Sequence, residues 1–161
     1  KVLSVKIPAG VEDGNRIRLA GEGESGARGG QAGDLYVFIS IKNHKFFERK
    51  GDDISCEIPI KMTTAALGGS VEIPTIDGTI TKLVIPEGTQ TNDQFRLKSK
   101  GMTILNSGGR RADMYVKIFV ETPVKLSAEQ KALLEQLNKS IGNHSNPKSQ
   151  GFFDKVGGFF K

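Results

Sequence analysis

The stretch "VKIPAGVEDGNRIRLAGEG" (residues 5–23) returns in altered form as "LVIPEGTQTNDQFRLKSKG" (residues 83–101). A shift of 78 residues superimposes Ile7 on Ile85, Pro8 on Pro86, Gly10 on Gly88, Arg18 on Arg96, Leu19 on Leu97 and Gly23 on Gly101. One more residue of offset aligns "DLYVFISI" (34–41) with "DMYVKIFV" (113–120), so that Asp34 falls on Asp113 and Tyr36 on Tyr115. Chance identities scatter. These run in one order with a single slip inside a Gly-rich loop, as a duplicated structural unit requires.

Each copy reads as three strands. "LSVKI" and "TKLVI" alternate near the period of two expected of a half-buried strand. "IPAG" and "IPEG" close them, because Pro has no N–H for a ladder and Gly accepts the turn. "RIRLAG" and "QFRLKSKG" alternate next, with Ile17 and Leu19, or Phe95 and Leu97, on one face and Arg18 or Arg96 on the other. A third strand begins at Asp34 or Asp113. Three strands cannot bury a face by themselves. The second copy has its partners in "DDISCEIPIKM" (52–62) and in "SVEIPTIDGTITKLVI" (70–85), a hairpin turning at Asp77-Gly78. Between them "TTAALGG" (63–69) reads as a short helix ended by glycine. The first copy has no such partners, and the chain opens on Lys1 in mid-pattern, so it reads as a piece of a longer protein.

Past residue 122 the period changes. Ser127 followed by Gln130 forms a capping box, and Leu133, Leu137 and Ile141, with Leu134 beside them, recur at helical spacing over about 128–141. "NHSNPKSQ" is a polar linker, and the terminal "GFFDKVGGFFK" gathers Phe152, Phe153, Val156, Phe159 and Phe160 on one helical face. Such a cluster left bare is an aggregation-prone patch, and a two-fold homodimer in which each tail covers its mate is the simplest closure.

Composition narrows the function. The 161 residues are 37% hydrophobic and 25% charged, with 20 Gly, no Trp and a formal net charge of +5. That is a globular chain rich in turns, with its basic excess dispersed rather than gathered for nucleic acid. A single cysteine, Cys56, rules out a disulfide framework or a cysteine zinc site within these residues and suits a reducing compartment. In "ISCEI" it reads as a small strand residue rather than a reactive thiol. No apolar run approaches a membrane span. His44 and His144 stand in polar stretches without ligand-spaced neighbours, and nothing near Asp52-Asp53 or Glu22/Glu24 marks a nucleophile or base. The loop "GEGESGARGGQAGD" (21–34) lacks the Lys-Ser/Thr of a phosphate loop and leads into a strand, not a helix. An enzyme is not expected.

The ordered motifs "IPAGVEDGNRIRLAGEGE" (7–24), "GDLYVFISI" (33–41), "FFERKGDDI" (46–54), "ALGGSVEIPTIDG" (66–78) and "GFFDKVGGFFK" (151–161) closely resemble the C-terminal substrate-binding region of the DnaJ co-chaperones. The likeness is greatest to bacterial members with a zinc-finger insertion. It implies a mainly β fold: two tandem, related β-sandwich or barrel-like domains followed by a C-terminal helix and dimerisation tail. The division expected is 1–50 for the later part of the first β domain, 51–122 for the second and 123–161 for the helix and tail. The sequence has no His-Pro-Asp triplet and no Cys-x-x-Cys-x-Gly-x-Gly, so the family's J-domain and zinc module lie outside it, and no cofactor is expected here.

The resemblance further implies a cytoplasmic stress-response chaperone that binds unfolded polypeptide and hands it to a DnaK-type ATPase. Its groove takes an extended segment as an added strand, with an apolar pocket beside it. By motif position the pocket walls are Leu3, Val5, Val37 and Ile39, and the dimer contacts are Leu133, Leu134, Leu137, Ile141, Phe152, Phe153, Phe159 and Phe160. In this division of labour the first copy holds substrate and the second is spacer and support. Read from the residues alone, the pocket positions also suit ordinary core, and the tail also suits a membrane surface, although Lys155 alone among glycines makes a poor basic face. The rival function is a basic β-barrel that binds nucleic acid, which needs exposed aromatics amid cations. Tyr36 and Tyr115 are read as lacking neighbouring cations, so nucleic acid is not the expected partner.

Overall fold

The computed structural model describes residues 2–159. The chain divides into two compact units, Lys1–Thr122 and Pro123–Lys161. Phe160, one of the expected dimer contacts, lies outside the described residues.

The first unit is mainly β. Strands β1 (Arg16–Leu19) and β2 (Leu35–Phe38) form an antiparallel pair. A four-stranded sheet follows in the order β3 (Glu48–Lys50), β4 (Asp53–Lys61), β8 (Met114–Glu121), β7 (Gln94–Leu97). β4 and β8 run parallel, which demands a long crossover. That crossover contains helix α1 (Met62–Leu67), the hairpin β5 (Gly69–Pro74) and β6 (Ile80–Ile85), and β7. The hairpin turns at Asp77-Gly78 as its sequence requires. Gly78 takes a φ of 82° and the Asp77 carboxylate accepts from the Thr79 N–H (3.1 Å), the Thr79 hydroxyl (2.7 Å) and the hydroxyl of buried Thr75.

The duplication holds residue for residue in these strand pairs. β1 and β2 pair Arg16 with Phe38, Ile17 with Val37, Arg18 with Tyr36 and Leu19 with Leu35. β7 and β8 pair Gln94 with Lys117, Phe95 with Val116, Arg96 with Tyr115 and Leu97 with Met114, the same register under the same shifts. The loops match as well. Asp34 accepts from the Gly21 N–H at 3.0 Å and ion-pairs with Arg18 at 2.6 Å; Asp113 accepts from the Ser99 N–H at 2.9 Å and ion-pairs with Arg96 at 3.6 Å. Gly23 and Gly101 donate to Gly33 and Ala112, both at 2.8 Å, and a Cβ on either would strike the backbone of the following aspartate.

The copies differ in what covers them. The buried core, from Ile54 in β4 through Ile73, Leu83 and Ile85 of the hairpin to Met114, Val116 and Ile118 of β8, belongs to the second copy and its partners. Ile85 is 1% exposed whereas its counterpart Ile7 is 57% exposed. Met114, Val116 and Ile118 are fully buried, while Leu35, Val37 and Ile39 are half-buried. Cys56 points into the core from β4, as alternation expects, and burial pushes its thiol up to about 11.

One expected strand is not formed. Residues 2–8, including "LSVKI", lie outside any ladder, though exposure still alternates over residues 2–6. A strand exists only as a paired strand. The equivalent β6 pairs with β5, and among the described residues nothing occupies the corresponding place beside residues 2–7.

The second unit holds helices α2 (Ala128–Ser140) and α3 (Pro147–Phe159), joined through a 3-10 turn at Asn143–Ser145. The capping box starts α2: the Gln130 N–H donates to Ser127 Oγ at 3.2 Å and the Ser127 N–H donates to Gln130 Oε1 at 2.8 Å. Neither helix fully buries a residue.

Candidate functional site

β2 is the element around which the expected binding residues fall. It alternates, so Val37 shares one face with Leu35 and sits opposite Ile17 on β1. Ile39 follows just past the strand, where its N–H donates to the Asn15 carbonyl at 2.8 Å and its carbonyl accepts from Gly14 at 2.9 Å, so it continues the same half-buried row. Leu3 and Val5 are half-buried in the unpaired stretch 2–8, alternating with exposed Val2, Ser4 and Lys6.

The edge of β2 matters more than any one side chain. In the second copy β8 has β7 on one side and β4 on the other, and eight residue pairs from Ile54↔Met114 to Lys61↔Glu121 close the β4 side. In the first copy β2 has β1 alone among the described residues. Among the described residues that side of β2 carries no ladder, which is the arrangement an added strand requires. The adjoining Leu35, Val37 and Ile39 correspond to side chains that bury completely once such a strand is in place.

A cavity of about 770 Å3 opens where the two copies meet, and it takes none of the four expected residues. Ile41, Phe47, Ile54, Ile76 and Met102 supply its apolar wall, and His44 and Arg49 stand on its polar side. Arg49 holds this junction together. It donates to the carbonyls of Val11 (2.7 Å), Gly10 (3.2 Å) and Gly51 (2.7 Å) and pairs with Asp52 at 3.3 Å. Gly10 packs from the other side, where an added Cβ would strike the Thr103 carbonyl and come within 2.8 Å of Leu105 N. Nothing in the local sequence announces this junction, since its members are far apart in the chain. His44 is exposed, and its Nδ1 accepts from the N–H groups of Phe46 (3.0 Å) and Phe47 (3.2 Å).

The outward face of the β1–β2 pair departs from its reading. Arg18 stands directly opposite Tyr36, and Arg16 opposite Phe38, while Arg96 stands opposite Tyr115. Both tyrosines therefore do have neighbouring cations, brought there by strand register rather than by sequence proximity. Asp34, between these strands, is held below the usual carboxylate range, first by the Gly21 N–H and then, against the effect of burial, by Arg18.

In the second unit all but one of the expected contacts that lie among the described residues are exposed. Leu133, Leu137 and Ile141 are exposed and Leu134 is half-buried on α2. On α3, Phe152 and Phe153 are exposed and pack edge to face at 5.3 Å, Val156 is half-buried and Phe159 is 88% exposed.

Zinc, which the resemblance places in a separate module, finds no fit here. Cys56 is buried, and among the described residues no three His, Cys, Asp or Glu side chains gather as ligands. Among the described residues no helix is long and apolar enough to cross a membrane.

Comparison with known proteins agrees with this architecture. Residues 1–123 match the family model described as DnaJ C terminal domain, and residues 129–161 match that described as Chaperone protein DnaJ C-terminal region. Proteins named Chaperone protein DnaJ from Rhodospirillum centenum and Xanthobacter autotrophicus are 59% and 58% identical over 97% and 99% of this chain. One from Brucella canis is 56% identical over 99% of it. The chain belongs to the DnaJ family, as its C-terminal region. It spans about two-fifths of the length of these relatives, 41% to 42%.

Proposed function

We propose that this chain is the client-holding and self-associating part of a molecular chaperone, which captures unfolded polypeptide without chemistry. One observation carries the reading: among the described residues β2 has an open edge where its twin β8 is paired along its whole length with β4. An extended client segment adds there as a strand, and its backbone bonds make capture tolerant of sequence. Leu3, Val5, Val37 and Ile39 supply the apolar pocket that favours large hydrophobic side chains. Residues 1–50 act as the substrate domain, 51–122 as spacer and 123–161 as dimerisation segment. The exposed apolar stripes of α2 and α3 support that last role, because two such faces closing on each other remove both from water. Two arms in one dimer then hold a client with avidity.

Family membership supports the remaining steps: delivery of the client to a DnaK-type ATPase, work in the cytoplasm, and a role in the heat-shock response. A fluorescent peptide alternating Leu with Ser tests the capture step by anisotropy. Val37→Ser is expected to weaken its binding about tenfold, the effect of losing one well-packed anchor. Unchanged affinity in both Val37→Ser and Leu3→Ser would remove the pocket from the account.

A further inference from the structure

The solvent face of the β1–β2 pair carries large aromatic side chains where an outward strand face is ordinarily polar. Phe38 is 71% exposed and Tyr36 47% exposed on adjacent outward positions of one strand, so the two side chains stand about 7 Å apart. Arg16 and Arg18 lie opposite them on β1, on the same face. Arg18 is already engaged by Asp34 at 2.6 Å, while Arg16 has no ion-pair partner among the described residues.

The second copy shows how such a face is completed. There Gln94 replaces Arg16 and Lys117 replaces Phe38, so the charge has moved to β8 and the aromatic ring is gone. Lys117 is answered by a carboxylate from the neighbouring strand, Glu57 on β4, at 3.4 Å. The first copy carries the cation on β1, adds the Phe38 ring beside Tyr36 and, among the described residues, has no carboxylate in the place of Glu57.

We infer that this face is a second docking surface, separate from the inward pocket, for an extended polypeptide segment that carries a carboxylate beside an aromatic or aliphatic side chain. The carboxylate takes the role Glu57 plays for Lys117, as a bidentate partner for the Arg16 guanidinium. The neighbouring apolar side chain covers Phe38 and Tyr36. Charge arithmetic favours polypeptide over nucleic acid. A single strand brings a phosphate with every nucleotide and needs several cations along its path, whereas one unengaged guanidinium between two rings matches one carboxylate.

The chain has no Trp, so a Trp in the probe reports binding without background. The probe is the capped peptide Gly-Ser-Glu-Trp-Glu-Ser-Gly, compared with its Lys-for-Glu version and with a single-stranded oligothymidylate. The Glu peptide is expected to bind saturably and more weakly as salt rises. Arg16→Gln, the residue the second copy tolerates at this place, should weaken it about tenfold, and Phe38→Ser by a similar factor. Lys131→Ser, which removes an exposed charge on α2, should leave it unchanged. Arg16→Gln keeps a strand-compatible side chain, so it decides the matter even if Phe38→Ser lowers the melting temperature. No saturable binding of the Glu peptide, equal binding of the Lys peptide, or indifference to Arg16→Gln would overturn the proposal. Binding of the oligothymidylate in preference to the Glu peptide would overturn it in favour of a nucleic-acid platform.

Discussion

Gly10 and Gly88 are the same residue of the two copies, and replacing each by Ala measures the joint between them. Both adopt the left-handed region, with φ of 91° and 77°, so either alanine is strained. That shared cost is about 1–2 kcal/mol. Gly88 faces open space, and there the cost ends. At Gly10 the new methyl would strike the Thr103 carbonyl, come within 2.8 Å of Leu105 N and lie 3.2 Å from Leu105 Cα. These are backbone atoms, which cannot yield as a flexible side chain does, and overpacking of this kind adds about 1–3 kcal/mol. Gly10→Ala should therefore destabilise the chain by about 2–5 kcal/mol and Gly88→Ala by about 1–2 kcal/mol. Urea unfolding followed by circular dichroism gives both numbers on the intact chain. Arg49→Ala removes the second fastener, and because it bonds the Gly10 carbonyl itself, its effect should not add to that of Gly10→Ala. Equal losses for the two glycines would show that the copies do not bear on each other at this point. The joint matters to function because it fixes where the open first copy stands on the closed second one.

Three further outcomes are expected. The carboxyl of Asp77 is held well below the usual range by the Thr75 hydroxyl first, then by the Thr79 hydroxyl and N–H, with Lys100 adding to the effect against burial. A folded value below the unfolded one, about 3.9, means this stabilisation is complete above that value and is lost as pH falls towards the folded one; Asp77→Asn should flatten the acid limb of a stability-against-pH curve, and an unchanged limb would refute the assignment. The Cys56 thiol, pushed up to about 11 and buried, should ignore a disulfide reagent at pH 8 until urea unfolds the first unit, whereas prompt reaction in the native state would contradict its place in the core. Light scattering should give twice the chain mass for residues 1–161 and the chain mass for a version ending at Asn143; a monomer in both would leave the α2 and α3 stripes without their mate.

Much of this architecture was legible because it is local or repeated. The Asp77-Gly78 turn, the Ser127–Gln130 box and the alternation of "DISCEIPIK" each act within a few residues, and each stands where its chemistry puts it. The duplicated registers were legible because Arg18 and Asp34 recur as Arg96 and Asp113, and the same ion pair fixes the same loop. Non-local pairing was not legible. "LSVKI" has the pattern of a strand, yet pattern supplies only a face and the ladder needs a neighbour. The Arg18–Tyr36 juxtaposition and the grip of Arg49 on Gly10 arise from register and packing between distant segments, and neither leaves a trace in local composition.

Amide hydrogen exchange on residues 1–161, with and without an excess of the Leu/Ser peptide, bears most directly on capture at the open edge of β2. Protection should rise at alternate amides between Leu35 and Ile39 and stay as it was between Met114 and Val120, where β4 already fills the corresponding edge. Peptide binding that leaves the β2 amides exchanging as before would contradict strand addition and place the client elsewhere on the chain.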